Sequence, residues 1–421
     1  MSTLRATNIK NPDSGSNNIV LSEGGGVVIS GVTTSSSFVG NVTGNATGLS
    51  GTPNLNVGVV TATSFVGDGS GLTGVGGASG NRNLIINGAM NVAQRGTQET
   101  GVTSQGYLVV DRYRFNPSNL GTWTLDQDTN APSGFSNSFK ITCTTADASP
   151  AAGDLLVLFH FIEAQNLQHL KYGDSGAENV TLSFWVKSNK TGSASFTIRQ
   201  PDNSSKLYST TYNISSADTW EYKTITISGD TGGVINNDNG NGLQCEWWLN
   251  SGTDYSSGTA SNAWVTNDNT RRNPSNLGVG GAISDYFAIT GVQLEVGSSA
   301  TTFEHRSYGD ELQRCKRYFQ ATEMSNFGLP GYAISSTQAR FCASFFPEMR
   351  DDPTLTTDTL ANFAVQYTNS SATTTAMVFS GVSQNNARII ATVASGLTAG
   401  QGVSLLGQNV SFPKLYYSAE L

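Results

Sequence analysis

The sequence predicts an all-β architecture with one linking helix, and three observations carry that prediction. Charged residues make up only 13% of the chain while glycine occurs 47 times, the profile of a turn-rich β protein and not of a helical enzyme. Short apolar runs alternate with polar residues at period two, as in Thr181-Leu-Ser-Phe184 and Thr224-Ile-Thr-Ile227, with Gly/Asn clusters between them. Only one stretch, Phe303 to Gln320, carries a full set of helix signals. At 421 residues the chain has room for two or three domains. A formal charge of −8 argues against nucleic acid or an anionic membrane as a partner. No apolar run approaches the ~20 residues a membrane span needs, and the opening residues have no signal-peptide core. Any role outside a cell is thus expected to be reached without the usual export signal.

Residues 1–23 hold a short strand-like piece, Ile19-Val-Leu21, and run into Gly24-Gly-Gly26. The segment 24–80 has no Lys or Arg and a single acid, Asp68, after its leading glycines. Thr34-Ser-Ser-Ser-Phe38-Val39-Gly40 returns as Thr61-Ala-Thr-Ser-Phe65-Val66-Gly67, and a Gly/Thr-rich tail follows each copy. Strands this short, with one or two large apolar residues each, cannot bury a core within one chain. Either the segment is a linker, or Phe38, Val39, Phe65 and Val66 meet their copies in identical chains as the core of a narrow intertwined stalk. The regular repeat and the Val/Thr content favour the stalk.

Residues 81–303 contain nine or so strand-like runs, among them Leu84–Ile86, Leu108–Val110, Leu155–Phe161, Val180–Val186, Cys245–Leu249 and Phe287–Leu294. Their alternation and Gly/Asn turns predict an antiparallel β-sandwich. Asn166–Leu170 reads as one short helical turn beside it. Next comes the linking helix, assigned to 304–321. Ser307 can cap it, with Asp310 in capping-box position, acids in its first turn and bases in its last. Tyr308, Leu312, Cys315 and Phe319 form one apolar stripe, expected to pack against the chain's own β-domains or against the same helix in other copies. Residues 322–421 are again strand-like and predict a second, smaller β-domain, with a last strand at Leu415–Tyr417 packed into a sheet.

No motif in the chain points to catalysis. His160, His169 and His305 form no metal-ligand spacing, and no nucleophile elbow or P-loop occurs. Gly69-Ser-Gly71-Leu-Thr-Gly74 matches G-x-G-x-x-G but neither follows a buried strand nor opens a helix. The loop Asn236–Gly242 has a calcium-like spacing but one acid, Asp238, and reads as a plain turn. Cys143, Cys245, Cys315 and Cys342 are far apart and read as buried small apolar residues, not as a disulfide framework. No cofactor and no metal is expected, and the chain reads as a non-enzyme.

Several motifs, taken together and in order, resemble a known family. Asn83-Leu-Ile-Ile-Asn87-Gly88 with Gln94-Arg95-Gly96, Asp111-Arg112-Tyr113-Arg114-Phe115, Ile162-Glu163, Leu182-Ser-Phe184-Trp185-Val186, Gly291–Gly297 and Phe303–Tyr318 resemble the β-sandwich of bacteriophage tail-fibre and other virion appendage proteins. The Phe-Val-Gly repeats resemble Gly/Thr-rich repeats of marine and cyanobacterial phage structural proteins. The resemblance covers about half the chain. It implies a homotrimer on the virion, attached to other tail or capsid proteins through residues 1–23 and meeting a host-surface glycan or outer-membrane component through its β-domains. The sandwich also looks like carbohydrate-binding jelly rolls, although the acids that hold a structural calcium in many of those are missing here.

Sugar rings stack on aromatic side chains while amides and hydroxyls read their hydroxyl groups. Tyr208, Tyr212, Tyr255 and Trp264 lie in polar contexts and are expected to be exposed for this purpose. Trp247 and Trp248 must point to opposite faces of a strand, which places Trp248 among the candidates and Trp247 in the core. Trp220 and Tyr222, with Trp247, Trp248 and Trp264, could also form such a platform, against which Trp185, Trp220 and one of Trp247 and Trp248 read as sandwich core. Two other roles are a purely structural virion component without a receptor, and a polysaccharide-cleaving appendage.

Overall fold

The computed structural model describes residues 8–9, 19–21, 27–29, 81–202, 205–324, 328–410 and 412–421. Residues 1–67 and 68–421 are two separate units. The described part of the first is an antiparallel sheet of β1 (Asn8–Ile9), β2 (Ile19–Leu21) and β3 (Val27–Ile29), with β2 in the middle. The expected stalk core, Phe38, Val39, Phe65 and Val66, lies outside the described residues.

Period-two patterning in the large block builds two six-stranded antiparallel sheets. The first runs β14 (Val265–Thr266), β11 (Lys206–Ile214), β10 (Gly192–Gln200), β13 (Asn241–Ser251), β8 (Leu155–Glu163), β5 (Tyr113–Ser118). The second runs β12 (Glu221–Ile227), β9 (Val180–Ser188), β15 (Tyr286–Val296), β7 (Ser138–Thr145), β6 (Thr122–Asp128), β4 (Gln98–Val102). Along β9, Leu182, Phe184 and Val186 enter the core between the sheets, so Ser183, Trp185 and Lys187 face the other way. Trp247 of β13 is the centre of that core, with the rings of Phe196 at 5.3 Å and Phe184 at 6.0 Å. The predicted helical turn is present as a 3₁₀ segment, Ala164–Leu170.

Two predicted strands are absent. Leu84–Ile86 runs beside β15, but side chains replace much of the backbone ladder. Asn83 Oδ1 accepts from the amides of Ile85 and Leu294, both at 3.0 Å, and Asn83 Nδ2 donates to Val292 O at 3.0 Å. Asn87 likewise bridges Val92 and the Asp111 carbonyl. Such local side-chain bonds compete with strand pairing. Leu108–Val110 sends Val109 and Val110 into the core from an irregular segment.

The C-terminal part has two pieces. A closed antiparallel barrel runs β17 (Leu329–Ala333), β18 (Gln338–Ser344), β22 (Asn386–Val393), β21 (Ser370–Val382), β20 (Phe363–Tyr367), β23 (Gly402–Gly407) and back to β17. Beside it, β24 (Lys414–Ser418) lies between β16 (Phe319–Glu323) and β19 (Thr354–Thr357). Strands β17 and β23 escape sequence reading because Leu-Pro-Gly-Tyr-Ala and Gly-Val-Ser-Leu-Leu-Gly carry the Pro and Gly that ordinarily mark turns.

The linking helix, α2 (Tyr308–Lys316), is nine residues long and stops short of Gln320. Ser307 caps it as expected: its Oγ accepts from the Asp310 amide at 3.1 Å and donates to the Asp310 carboxylate at 2.7 Å. Phe319 does not lie on the helical stripe. It opens β16, because pairing with Ser418 of β24 prevails over local helix propensity. Cys315 is fully buried and Leu312 half-buried, whereas Tyr308 is 60% exposed in the single chain.

Around α2 the sandwich and the C-terminal part meet through charged groups. Arg112, with no exposed surface, pairs with Glu420, donates to Phe161 O at 2.8 Å and lies 3.4 Å from the centre of the Tyr318 ring. Arg95 reaches Glu420 at 3.1 Å and stacks on Phe319 at 3.4 Å. Arg317 grips Glu163 with two bonds of 2.8 and 2.9 Å. Burial alone would raise the Glu163 carboxyl, but this grip holds it below the usual range. Glu311 accepts from the Asn87 amide, and Glu304 from those of Asn81 and Asn83.

Candidate functional site

Of the aromatic residues read from sequence as a platform, Tyr222 is exposed, Tyr255 and Trp264 are half-buried, and Tyr208, Tyr212 and Trp248 are closed off. Tyr208 and Tyr212 are buried, at 8% and 7% exposure; Tyr212 meets the Phe184 ring at 5.2 Å in the sandwich core. Strand β11 pairs with β10 over nine residues, which turns both tyrosines inward despite their polar neighbours. Trp264 is half-buried, donates to Ser228 O at 2.6 Å, and caps the core end against Tyr172 and Tyr208. Trp248 does point to the opposite face from Trp247, yet it too has no exposed surface. Residues 252–276, including α1 (Thr253–Ser256), lie across that face. There Tyr255 packs on Trp248 at 5.2 Å, and Arg272 lies 4.9 Å above its ring while gripping Glu246 at 2.7 and 3.1 Å. Chain length and not strand patterning covers this outer face, so alternation could not reveal it.

The outer face of the second sheet differs. Tyr222 of β12 pairs in register with Trp185 of β9, and their rings lie 5.3 Å apart. Tyr222 is 44% exposed and Trp185 half-buried. Beside Trp185, β15 bulges at Gly291, whose φ is +61°. A β-carbon there would sit 2.7 Å from Phe135 Cζ and 3.0 Å from Trp185 Cδ1. The missing side chain therefore lets Phe135 and Trp185 flank the bulge closely. Phe135 continues to Phe303 at 5.0 Å and His305 at 5.3 Å. Tyr222, Trp185, Phe135, Phe303 and His305 make one aromatic strip across the sheet.

A polar pocket of about 140 Å³ adjoins the strip, lined by Asp128, Asn130, Ser138, Lys140, Lys187, Tyr286 and Ala288. Asn130 Oδ1 accepts from Lys187 Nζ at 3.2 Å and from the Trp220 indole at 3.1 Å. Lys140 sits 3.6 Å from Asp128 and 5.3 Å from the centre of the Tyr286 ring. The Tyr286 hydroxyl donates to Asp218 at 2.6 Å; burial and then that bond push its pKa up, so it remains a donor at any working pH. Donors and acceptors of both kinds thus stand beside apolar ring faces, the two contacts a sugar ring requires. The signal for Trp185 was present in the sequence. With Leu182, Phe184 and Val186 inward, period two sends Trp185 outward with Ser183 and Lys187. The reading of Trp185 as core weighed residue type over position.

Of the other groups read from sequence, His160 is fully buried. Its Nε2 accepts from the Ile86 amide at 3.4 Å, and burial drives its pKa well down, so the ring is neutral. Cys143, Cys245 and Cys315 are buried and free, while Cys342 is exposed on the barrel, against expectation, because its strand alternates there toward solvent. Among the described residues no cluster of three or more His, Cys, Asp or Glu could hold a metal ion.

Fold and face together define a two-sheet antiparallel sandwich with an aromatic outer face, joined to a β-barrel. No protein-family model and no curated protein matches the chain. Among solved structures it is similar to the enzymatically active domain of tailspike protein 4 of bacteriophage CBA120, at 15% identity and a TM-score of 0.27, over 51% of this chain and 21% of that one. This chain spans about a fifth of the tailspike chain's length. It is also similar to a CBM4 structure, at 14% identity and 0.25, over 50% of this chain and 99% of that one. A third is a sugar-binding protein, by its description, from Bacteroides thetaiotaomicron, at 15% and 0.29, over 51% and 99%.

Proposed function

We propose that this chain is a bacteriophage virion appendage protein that binds a host-surface glycan without cleaving it. The observation that carries the glycan reading is the aromatic strip Tyr222–Trp185–Phe135 beside the Asp128/Asn130/Lys187 pocket, exposed at its Tyr222 end on the outer side of the second sheet. The virion part rests on the ordered motifs from Asn83 to Tyr318 and on the Phe-Val-Gly repeats of the segment 24–80. In this reading the protein is a homotrimer, attached to tail or capsid proteins through its N-terminal residues, with its β-domains toward the host.

The test is binding of the purified full chain to glycans extracted from the host surface. Trp185→Ala and Tyr222→Ala should each weaken binding about tenfold, the loss expected when one stacking platform goes. Failure of the intact chain to bind any such glycan, or equal binding by both variants, would overturn the reading. The first outcome, with residues 1–80 still binding virions, would favour a purely structural virion role. The same mixtures assayed for new reducing ends should show none; their appearance would make the chain a polysaccharide-cleaving appendage.

A further inference from the structure

The barrel is almost free of charge. Residues 328–347 and 359–413 contain no Asp, Glu or Lys, and just two arginines, Arg340 and Arg388. Both line the same groove, about 420 Å³ in volume, within the ~300–1,000 Å³ typical of small-ligand clefts. Sheet register explains why. Cys342 of β18 pairs with Arg388 of β22, so Arg340, two residues along β18, is the diagonal neighbour of Arg388 on the same outward side. Like charges set this close repel each other, and among the described residues no carboxylate lines the groove. The ion pairs described in the C-terminal part join Arg350 to Asp351 and Lys414 to Glu323, and Glu420 to Arg95 and Arg112 of the sandwich; none involves these arginines. Arg340 Nη1 donates to the Tyr332 hydroxyl at 3.3 Å, while its Nε is buried with no partner.

The groove is otherwise built for a ring-shaped polar ligand. Tyr332, 49% exposed, offers a ring face, and Ser383 and Asn386 offer short polar groups. Gly381 leaves space open, since a β-carbon there would meet nothing within 4 Å. Gly331 brings β17 against β18 so closely that a β-carbon would lie 2.1 Å from Arg340 O.

We infer that this groove is a second saccharide site, selective for an anionic sugar whose carboxylate or sulfate ester lies between Arg340 and Arg388 while its ring stacks on Tyr332. Two guanidinium forks supply charge-assisted bonds to such a group. The inference extends the glycan-binding reading but uses a different domain, so the two can fail separately. The chain's charge of −8 repels polyanions at long range; at ~0.15 M salt that repulsion is screened beyond about 8 Å and the contact in the groove remains.

The experiment titrates the full chain at that salt with polygalacturonate, dextran sulfate and neutral dextran. At least one polyanion should bind and dextran should not bind in this groove. Arg340→Gln and Arg388→Gln should each weaken the polyanion at least tenfold with the melting temperature unchanged, and Arg340→Lys should not restore it. Trp185→Ala should leave polyanion binding intact. Which polyanion binds distinguishes a carboxylate from a sulfate ester. Absence of binding by both polyanions, or equal binding by wild type and both Gln variants, overturns the inference while leaving the sandwich reading standing. Loss of polyanion binding in the Gln variants, with no effect of Trp185→Ala on any host glycan, keeps the groove and removes the sandwich site.

Discussion

Gly291 interrupts β15 with a left-handed φ of +61°, in contact distance of the two rings that form the middle of the aromatic strip. Gly291→Ala should cost roughly 1–2 kcal/mol from the backbone alone and lower glycan affinity by displacing Trp185 or Phe135. Denaturant unfolding together with a glycan titration checks both parts; unchanged affinity would show that the strip is not the platform. At the seam, Asp111 offers a pH test. Burial raises its carboxyl to about 6 from 3.8, with Arg95 and Gln94 opposing. Between those values the native state binds the proton that the unfolded state has lost, so this group's stabilisation is complete below 3.8 and disappears as pH rises through 6. The shift is roughly two units, at most about 3 kcal/mol. Glu163 acts with the opposite sign, losing its contribution as pH falls through the ordinary glutamate range. Buried, neutral His160 also opposes Asp111, losing its contribution as pH falls below the ordinary imidazole range, so the test is a difference: between pH 4.5 and 6.5 the stability of Asp111→Asn relative to the wild type should increase with rising pH. An identical slope in the variant would refute the assignment.

The helix α2 shows which local signals survive in an element and which do not. Its cap was legible from Ser307 and Asp310, because capping is decided within four residues. Ser307→Ala should cost about 1 kcal/mol, read by thermal unfolding. Its end was not legible, because Phe319 leaves the helix to pair with Ser418, a partner 99 residues away. The apolar stripe consequently divides: Cys315 and Phe319 are buried at the seam, Leu312 is half-buried, and Tyr308 is exposed in the single chain. Leu312→Asp should loosen the proposed trimer or the hold on the C-terminal part. Unchanged melting and unchanged mass by light scattering would sink that expectation. Strands divide in the same way. Val180–Val186 was legible from its alternation, whereas Leu84–Ile86 was misread as a strand because the flanking asparagine side chains, and not its backbone, make many of the bonds to β15.

Across residues 81–421, the ordered motifs gather largely at one place. Asn83 and Asn87, Gln94 and Arg95, Asp111 and Arg112, Glu163 and the stretch from Glu304 to Tyr318 converge on the seam between sandwich and C-terminal part. A buried ion pair is weak evidence of stability, but breaking one is costly. Glu420→Gln should leave Arg112 without a full counter-charge, lower stability by about 3 kcal/mol or more, and separate the unfolding of barrel and sandwich into two steps. A single transition at unchanged temperature would refute this. By itself the sequence determined the all-β class, the sandwich, the helix cap and the opposite sides taken by residues such as Trp247 and Trp248. Those properties follow from composition, period two and contacts within a few positions. Tertiary structure alone decided which faces stay open. Residues 252–276 lie over Trp248 on one sheet, Gly291 and Phe135 meet Trp185 on the other, and barrel register sets Arg340 beside Arg388. Exposure of a side chain depends on what the rest of the chain lays across it, and that information is not local.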